Sequence, residues 1–258
     1  MKLSDQLNRS LSISKTPQKI VSLVPSLTEL LVELGLEDKL VGVTKFCVHP
    51  KHIRHQAQII GGTKSVKHHK IEQLQPDFIL ANKEENTPEI VSELEQNYRV
   101  YVSDISTIED LIVLVEDLSL IFKIQTKANA FLELLQSKFY DFKTEASHLP
   151  SVDVAYFIWR EPWMVVGHSN FINYMLQLCK MNNVYRDFSR YPEVDLSDMP
   201  QLDYVLLSSE PFPFKEQHFS EIPVKSEQIK IVDGEYFSWY GSRLIAAFDY
   251  LLKLRKAL

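Results

Sequence analysis

Short apolar runs alternate along this chain with segments whose apolar residues recur at helical spacing. The apolar runs that predict buried strands lie at residues 19–24, 40–44, 77–81, 152–159, 203–208 and 230–232. The segments between most of them carry helix-opening or helix-ending signals, or the helical period itself. Strands that alternate with helices are typical of parallel sheets, so the pattern predicts an α/β fold.

Two helix starts are indicated by local sequence signals. Ser26 and Glu29 have the spacing of a capping box, in which a serine and a glutamate three residues later satisfy the first free N–H groups of a helix. We expect a helix that opens there and ends before Gly35. Pro88 predicts the start of another helix, because proline suits the first helical turn.

Residues 107–149 contain neither proline nor glycine, and their apolar positions follow a helical period. The second half, residues 125–148, predicts one helix of about 35 Å at 1.5 Å per residue. A helix of that length can join two lobes. We therefore expect an N-terminal α/β lobe at residues 1–122, a connecting helix at 123–149 and a similar C-terminal α/β lobe at 150–258.

Composition and charge exclude several classes of protein. The chain has 258 residues, of which 45% are hydrophobic and 24% charged, as in an ordinary globular protein. Its net charge is −6 and the two signs are interspersed, so we expect no nucleic-acid partner. No run approaches the roughly 20 apolar residues of a membrane span, and residues 1–10 lack the apolar core of a secretory signal.

Aromatic and charged side chains are concentrated in three predicted loops, at residues 159–163, 209–214 and 233–243. Each loop follows a predicted strand, and ligands of open α/β sheets bind at the carboxyl ends of strands. Rigid rings supply contact area while a few polar groups fix orientation, which indicates a site for a bulky, flat ligand. The alternative is that the rings pack the loop bases against the core.

Three segments, at residues 19–31, 41–50 and 75–81, together resemble the helical-backbone (class III) substrate-binding proteins of ABC importers. That family carries cobalamin, haem and ferric siderophores, and the similarity is closest to its cobalamin-binding branch. The resemblance implies a chelatase-like fold in which two lobes are joined by one helix, with a ligand cleft between them and little hinge bending. It also implies a periplasmic or cell-envelope location. The lack of a signal in residues 1–10 keeps a cytoplasmic location as the alternative.

Loop positions and the resemblance together give the candidate ligand-binding residues. They are Lys45, Phe46, Lys83, Glu84, Trp159, Arg160, Trp163, Glu210, Phe212, Phe237, Trp239, Tyr240 and Arg243. The resemblance implies that aromatic side chains flank a corrin ring, and the matching supply is Phe46, Trp163, Phe212, Trp239 and Tyr240. Trp239 leads this group because it lies in the glycine-flanked loop before the last helix.

The resemblance also implies that one surface acid of each lobe docks on a membrane permease. In the first lobe the matching residue is Glu89, and in the second lobe the chain offers Asp195 or Asp198. The alternative for all of them is an acid that stabilises a helix start through the helix dipole.

The predicted function is therefore that of a monomeric, non-enzymatic binding protein without cofactor, which captures a corrinoid or related metal chelate for an ABC permease. A ferric-siderophore or haem carrier is the alternative. A second alternative is a chelatase-like or corrinoid-processing enzyme, which requires a desolvated acid and base, with His168 and Glu161 as the candidates.

Other chemical motifs are weaker. Cys47 and His49 lack a visible third group for nucleophilic catalysis. The histidines at positions 49, 52, 55, 68 and 69 could bind a transition metal but are typical of solvated surface segments. Residues 61–64 resemble a phosphate loop only faintly, and a tight turn explains them better.

Overall fold

The computed structural model describes residues 1–258, which form two compact units. Unit 1 consists of Met1–Leu135 together with Tyr240–Arg243, and unit 2 of Gln136–Trp239 together with Leu244–Leu258. The chain thus enters unit 2 at Gln136 and returns to unit 1 for four residues before its last helix.

Unit 1 is built on a five-stranded parallel sheet and a separate antiparallel hairpin. Its strands are β1 (Lys2–Ser4), β2 (Ser10–Ser12), β3 (Ile20–Ser22), β4 (Leu40–Val43), β5 (Gln58–Ile59), β6 (Phe78–Asn82) and β7 (Val100–Ser103). Its helices are α1 (Pro25–Glu33), α2 (Ile53–Gln56), α3 (His68–Leu74), α4 (Pro88–Glu95) and α5 (Ile108–Phe122), with a 3-10 turn at Glu37–Lys39. The sheet order is β5-β4-β3-β6-β7, and β1 pairs with β2.

Strands β3 and β6 are the centre of this sheet, and every residue in them is buried. Burial on both faces explains why their sequences are nearly continuous apolar runs rather than alternating ones. Helix α5 packs its apolar side inward, and a capping box fixes its start: the Asp110 N–H donates to Thr107 Oγ1, and the Thr107 N–H donates to Asp110 Oδ2.

The helix predicted at residues 125–148 is present as α6 (Gln125–Ser147) and ends one residue before that limit. Unit 1 ends at Leu135 and unit 2 begins at Gln136, so the chain passes from one unit to the other inside this helix.

Unit 2 has its own sheet. Its strands are β8 (Val152–Trp159), β9 (Met164–Val165), β10 (Met181–Asn183), β11 (Tyr204–Ser208) and β12 (Ile229–Val232). Its helices are α7 (Phe171–Leu178), α8 (Glu235–Ser238) and α9 (Leu244–Ala257), with 3-10 turns at Leu196–Asp198, Glu216–Glu221 and Ser226–Gln228. The parallel strands run in the order β10-β8-β11-β12, and β9 is antiparallel to β8. The prediction of an α/β chain with two parallel-sheet lobes is confirmed.

One helix start was predicted wrongly. Helix α1 begins at Pro25 with Val24 as N-cap, and no side chain caps it, so Ser26 and Glu29 do not form a capping box. Pro25 explains the difference, because its fixed φ suits the first helical position and moves the start forward. Ser26 is then buried in the first turn. The predicted loop at residues 233–243 also contains a helix, α8.

No helix of the protein combines the length and the apolar character that crossing a membrane requires.

Candidate functional site

Each sheet has a topological switch point, where the chain stops adding strands on one side of the first strand and continues on its other side. In unit 1 the chain runs from β3 to β4 and β5 on one side, and then to β6 on the other side of β3. In unit 2 it runs from β8 to β10 on one side, and then to β11 on the other. Loops that leave such neighbouring strands diverge and open a crevice at their carboxyl ends, where ligands of open α/β sheets bind.

The switch point of unit 2 presents two aromatic rings. Trp159 ends β8, and Phe212 lies in the loop after β11. Their ring centroids are 5.9 Å apart at an interplanar angle of 70°, and the Trp159 side chain remains 39% exposed. Edge-to-face contact holds the indole while leaving part of it open, so Trp159 can offer a surface to a flat ligand.

Arg160 follows Trp159 and is neutralised within unit 2. Its Nε lies 2.7 Å from Glu221 Oε2, and its second guanidinium nitrogen lies 3.0 Å from Glu161 Oε1. The hydrogen bond to Glu221 raises the pKa of the guanidinium above its usual value. This cation therefore positions the loop and already has two carboxylate partners.

Glu210 ties two loops of unit 2 together. Its Oε1 accepts hydrogen bonds from Ser238 Oγ at 2.7 Å and from Trp239 Nε1 at 3.0 Å. Trp239 itself is only 8% exposed. Gly234 allows the close approach, because a Cβ at that position would lie 2.3 Å from Ser208 Oγ. The ring that the sequence put first among ligand contacts is thus mostly enclosed by protein.

Two other predicted aromatic contacts are packing residues. Trp163 lies between Phe157, at 5.6 Å and 90°, and Phe214, at 5.9 Å and 14°. Phe237 is fully buried, with its ring 5.0 Å from that of Tyr156. Trp163 is half-buried and Phe237 is fully enclosed, so both rings stabilise the loops of unit 2.

In unit 1, Phe46 is exposed at the carboxyl end of β4. Its ring is 49% exposed, and the Lys45 ammonium lies 4.9 Å from the ring centroid. The Lys45 N–H donates to the Gly61 carbonyl at 2.7 Å, which fixes this loop on the next one. A Cβ on Gly62 would lie 3.2 Å from the ring. Phe46 thus combines an open aromatic face with a nearby cation.

The loop Lys83, Glu84 and Glu85 leaves β6 at the switch point of unit 1. Lys83 Nζ lies 2.6 Å from Asp104 Oδ2, and Lys64 Nζ donates to the Glu84 carbonyl. These contacts use both lysines to hold the loop.

Two buried asparagines, Asn82 and Asn86, anchor the same loop through hydrogen bonds. Asn82 Oδ1 accepts the Glu84 N–H at 2.8 Å and the Glu85 N–H at 3.2 Å. Asn86 Oδ1 accepts the Asn82 N–H at 2.9 Å, and Asn86 Nδ2 donates to the Thr63 carbonyl at 2.9 Å. Because asparagine can satisfy donors and acceptors together, this pair joins two loops without buried charge.

Glu85 belongs to this site although the sequence-derived candidates stop at Glu84. Its side chain is partly buried, and burial raises the pKa of its carboxyl group above the usual value. The available signal was its place in a polar loop directly after a buried strand.

Tyr240 and Arg243 belong to the short segment that returns to unit 1. Tyr240 is 7% exposed. The Arg243 guanidinium grips Glu29 of α1 at two points, 3.0 Å and 2.9 Å. This bidentate pair anchors the segment, so the Arg243 charge is compensated within unit 1.

A family model described as "Periplasmic binding protein" matches residues 20–204, which is well over half of the chain. The chain belongs to this periplasmic binding protein family.

Known members give the match its context. Over 80 residues the chain is 41% identical to an uncharacterized ABC transporter substrate-binding lipoprotein, YvrC of Bacillus subtilis, but this covers 31% of the chain and only 25% of that protein. Over 193 residues it is 24% identical to a vitamin B12-binding protein of Vibrio parahaemolyticus, covering 74% and 70%. The structure of the periplasmic heme-binding protein RhuT from Roseiflexus sp. RS-1 superposes with a TM-score of 0.82 at 15% identity, covering 93% and 98%. This last similarity supports the fold alone.

The predicted docking acids of this periplasmic binding protein lie on the surface. Glu89 is in the first turn of α4, where hydrogen bonds from its own N–H and from Thr87 lower the pKa of its carboxyl group. Asp195 caps a 3-10 turn by accepting the Ser197 N–H and hydroxyl at 2.9 Å and 2.8 Å. Asp198 is exposed, as is Glu193, an acid of the same segment that the sequence reading passed over.

Most of the weaker motifs have structural explanations. Cys47 is buried, with Sγ 3.1 Å from Thr28 Oγ1 and 3.2 Å from Thr44 Oγ1, and burial raises the pKa of its thiol, which opposes nucleophilic use. No group of three or more metal-ligating side chains is present. Gly61 has φ +126° in a turn that bridges to Val66, as a tight turn requires.

Proposed function

We propose that this chain is the substrate-binding protein of an ABC importer, and that it captures a corrinoid through aromatic loops at the carboxyl ends of its strands. The family and the YvrC similarity support the importer role. The similarity to a vitamin B12-binding protein over most of the chain supports the ligand class. A periplasmic or cell-envelope location accompanies this role.

The observation that carries the ligand class is the pairing of charges beside open aromatic rings. Three of the four cations among the candidate ligand-binding residues already have carboxylate partners within their own unit. The pairs are Arg160–Glu221, Lys83–Asp104 and Arg243–Glu29. What remains open includes the faces of Trp159 and Phe46. Each open ring, beside charges that are already paired, suits a large flat ligand whose periphery carries neutral amides, as a corrinoid does, because amides need no uncompensated charge.

A haem or ferric-siderophore carrier is the second candidate, and Lys45 favours it. Its ammonium is exposed, lies over the Phe46 ring and pairs with no carboxylate. A cation beside an open ring suits a flat ligand with a carboxylate at its edge, such as haem.

The enzymatic alternative requires a desolvated acid and base, and its two candidates are solvated. His168 and Glu161 are both exposed, and His168 Nδ1 bonds the neighbouring Ser169 hydroxyl at 2.5 Å. A solvated pair of this kind has none of the desolvation that an active acid and base need.

Calorimetric titration of the purified protein with cyanocobalamin, cobinamide, hemin and a ferric siderophore tests the proposal. We expect micromolar or tighter binding of the corrinoids and weaker binding of the other two. Tighter binding of hemin or the siderophore would replace the corrinoid assignment by the second candidate.

Trp159→Ala is expected to weaken cyanocobalamin binding by about 1–3 kcal/mol, because the variant loses an open stacking surface. The measurement is the same titration. Tyr140→Ala is the matched control, since Tyr140 is 72% exposed on α6 and is no part of the proposed site. Equal affinity of the Trp159 variant and the wild type would remove Trp159 from the ligand contacts.

Glu89→Gln is expected to leave cyanocobalamin affinity unchanged and to slow ligand-stimulated ATP hydrolysis by the reconstituted permease. The reason is that the exposed carboxylate is available to a cationic partner surface. Glu133→Gln, on the exposed side of α6, is the control. A Glu89 variant that loses ligand binding instead would contradict the docking role.

A further inference from the structure

The Glu85 carboxylate is the polar group at the switch point of unit 1 whose hydrogen bonding the protein leaves incomplete. No hydrogen bond or ion pair from the protein reaches it. The Glu85 backbone N–H donates to Asn82 Oδ1. The two lysines nearby are committed, Lys83 to Asp104 and Lys64 to the Glu84 carbonyl.

This arrangement costs free energy in the empty protein. Partial burial removes some of the water around a carboxylate that no protein donor reaches, and this desolvation raises the pKa of the Glu85 carboxyl group, although the Lys64 charge opposes the rise. Asn82 and Asn86 fix both ends of the loop, so the Glu85 backbone has a defined position. A partly desolvated carboxylate without a protein partner, on a loop whose backbone is fixed, is typical of a functional position.

The location of Glu85 indicates that a ligand can supply the missing hydrogen-bond donor. Asn86 Nδ2 contacts the Leu23 carbonyl after β3 at 3.4 Å, so the loop after β6 is tied to the loop after β3. These are the two loops that diverge at the switch point, and ligands bind outside such loops. A donor on the ligand therefore has access to Glu85.

We propose that Glu85 is a specificity-determining residue that accepts N–H groups of the ligand and disfavours ligands with a carboxylate at this point. The inference rests on the proposed function and makes it sharper. A corrinoid offers primary amides around its periphery, and each can donate to a carboxylate. A propionate or catecholate in the same place would meet a like charge, and such repulsion is how sites exclude similar ligands.

The experiment compares Glu85→Ala and Glu85→Gln with the wild type by calorimetry. The two probes are cyanocobalamin and cobyrinic acid, a corrinoid that carries carboxylates where cyanocobalamin carries peripheral amides. We expect Glu85→Ala to weaken cyanocobalamin binding about tenfold or more, the value of a hydrogen bond to a charged group. Glu85→Gln is expected to stay within about threefold, because its amide oxygen still accepts. For cobyrinic acid we expect Glu85→Gln to bind about tenfold more tightly than the wild type.

Thermal unfolding separates this role from a structural one. The Glu85→Ala variant removes a partly desolvated carboxylate that has no protein partner. Its Tm should therefore equal or exceed that of the wild type. The matched control is Glu72→Ala, an exposed glutamate of α3, which should change neither affinity nor Tm. A lower Tm together with unchanged selectivity between the two corrinoids would overturn the inference.

The proposed function can fail separately. A wild type that binds hemin and no corrinoid overturns the corrinoid assignment. The role of Glu85 is then decided with hemin: an affinity that rises about threefold or more in Glu85→Gln supports it, and an unchanged affinity overturns it. A wild type that binds neither hemin nor either corrinoid overturns both.

Discussion

Replacing Trp239 with alanine is expected to lower the free energy of unfolding by about 3–5 kcal/mol, the usual cost of removing a large aromatic side chain from a packed site. The indole is 8% exposed, and its N–H donates to Glu210 at 3.0 Å. The variant therefore loses packing and also leaves Glu210 with one donor fewer. Urea denaturation followed by circular dichroism measures the change.

Trp239→Phe is the control that separates the two losses. It keeps most of the ring volume and removes only the N–H, so we expect a decrease of about 1–2 kcal/mol. An alanine variant with wild-type stability and reduced cyanocobalamin affinity would show that Trp239 is a ligand contact instead of a packing residue.

Elements whose signal is local could be predicted closely. Strand β8 has the predicted bounds, because an apolar run followed by a charged, proline-containing loop leaves little choice of where a strand ends. Helix α6 was predicted to within one residue, since 23 residues without proline or glycine hold one period. The start of α1 was missed because two local signals competed, and Pro25 prevailed over Ser26.

The state of each aromatic ring could not be read from the sequence. Trp159 and Trp163 flank the same short loop, yet Trp159 is 39% exposed whereas Trp163 packs between Phe157 and Phe214. The difference arises from strand direction and from the loop after β11, which are tertiary features. Aromatic composition therefore predicts a region of the chain for the site, while the structure separates the exposed rings of that region from its packing rings.

The partners of the charged residues were also beyond the sequence. Arg243 and Glu29 are 214 positions apart, and only the return of Tyr240–Arg243 to unit 1 brings them together. The candidates drawn from the sequence stop at Glu84, and the fold assigns Lys83 and Lys64 to acceptors other than the Glu85 carboxylate.

Replacing Asn86 with alanine is expected to lower the free energy of unfolding by about 3–5 kcal/mol. Asn86 is 3% exposed, and its amide serves the Asn82 N–H and the Thr63 carbonyl. Each buried group left without a partner costs about 1–3 kcal/mol. We also expect weaker cyanocobalamin binding by the folded variant, because the loop that carries Glu85 loses its anchor. Chemical denaturation and calorimetry measure the two effects.

Two further variants give the Asn86 result its meaning. Asn97→Ala removes an exposed asparagine of unit 1 and should change neither quantity. Asn86→Asp keeps an acceptor for the Asn82 N–H but sets a carboxylate against the Thr63 carbonyl, so it should be at least as destabilising as alanine. If Asn86→Ala instead retained full affinity at reduced stability, the loop would hold its binding geometry without this anchor. Full affinity would also mean that binding includes no added cost of ordering the loop after β6, because such a cost lowers the measured affinity.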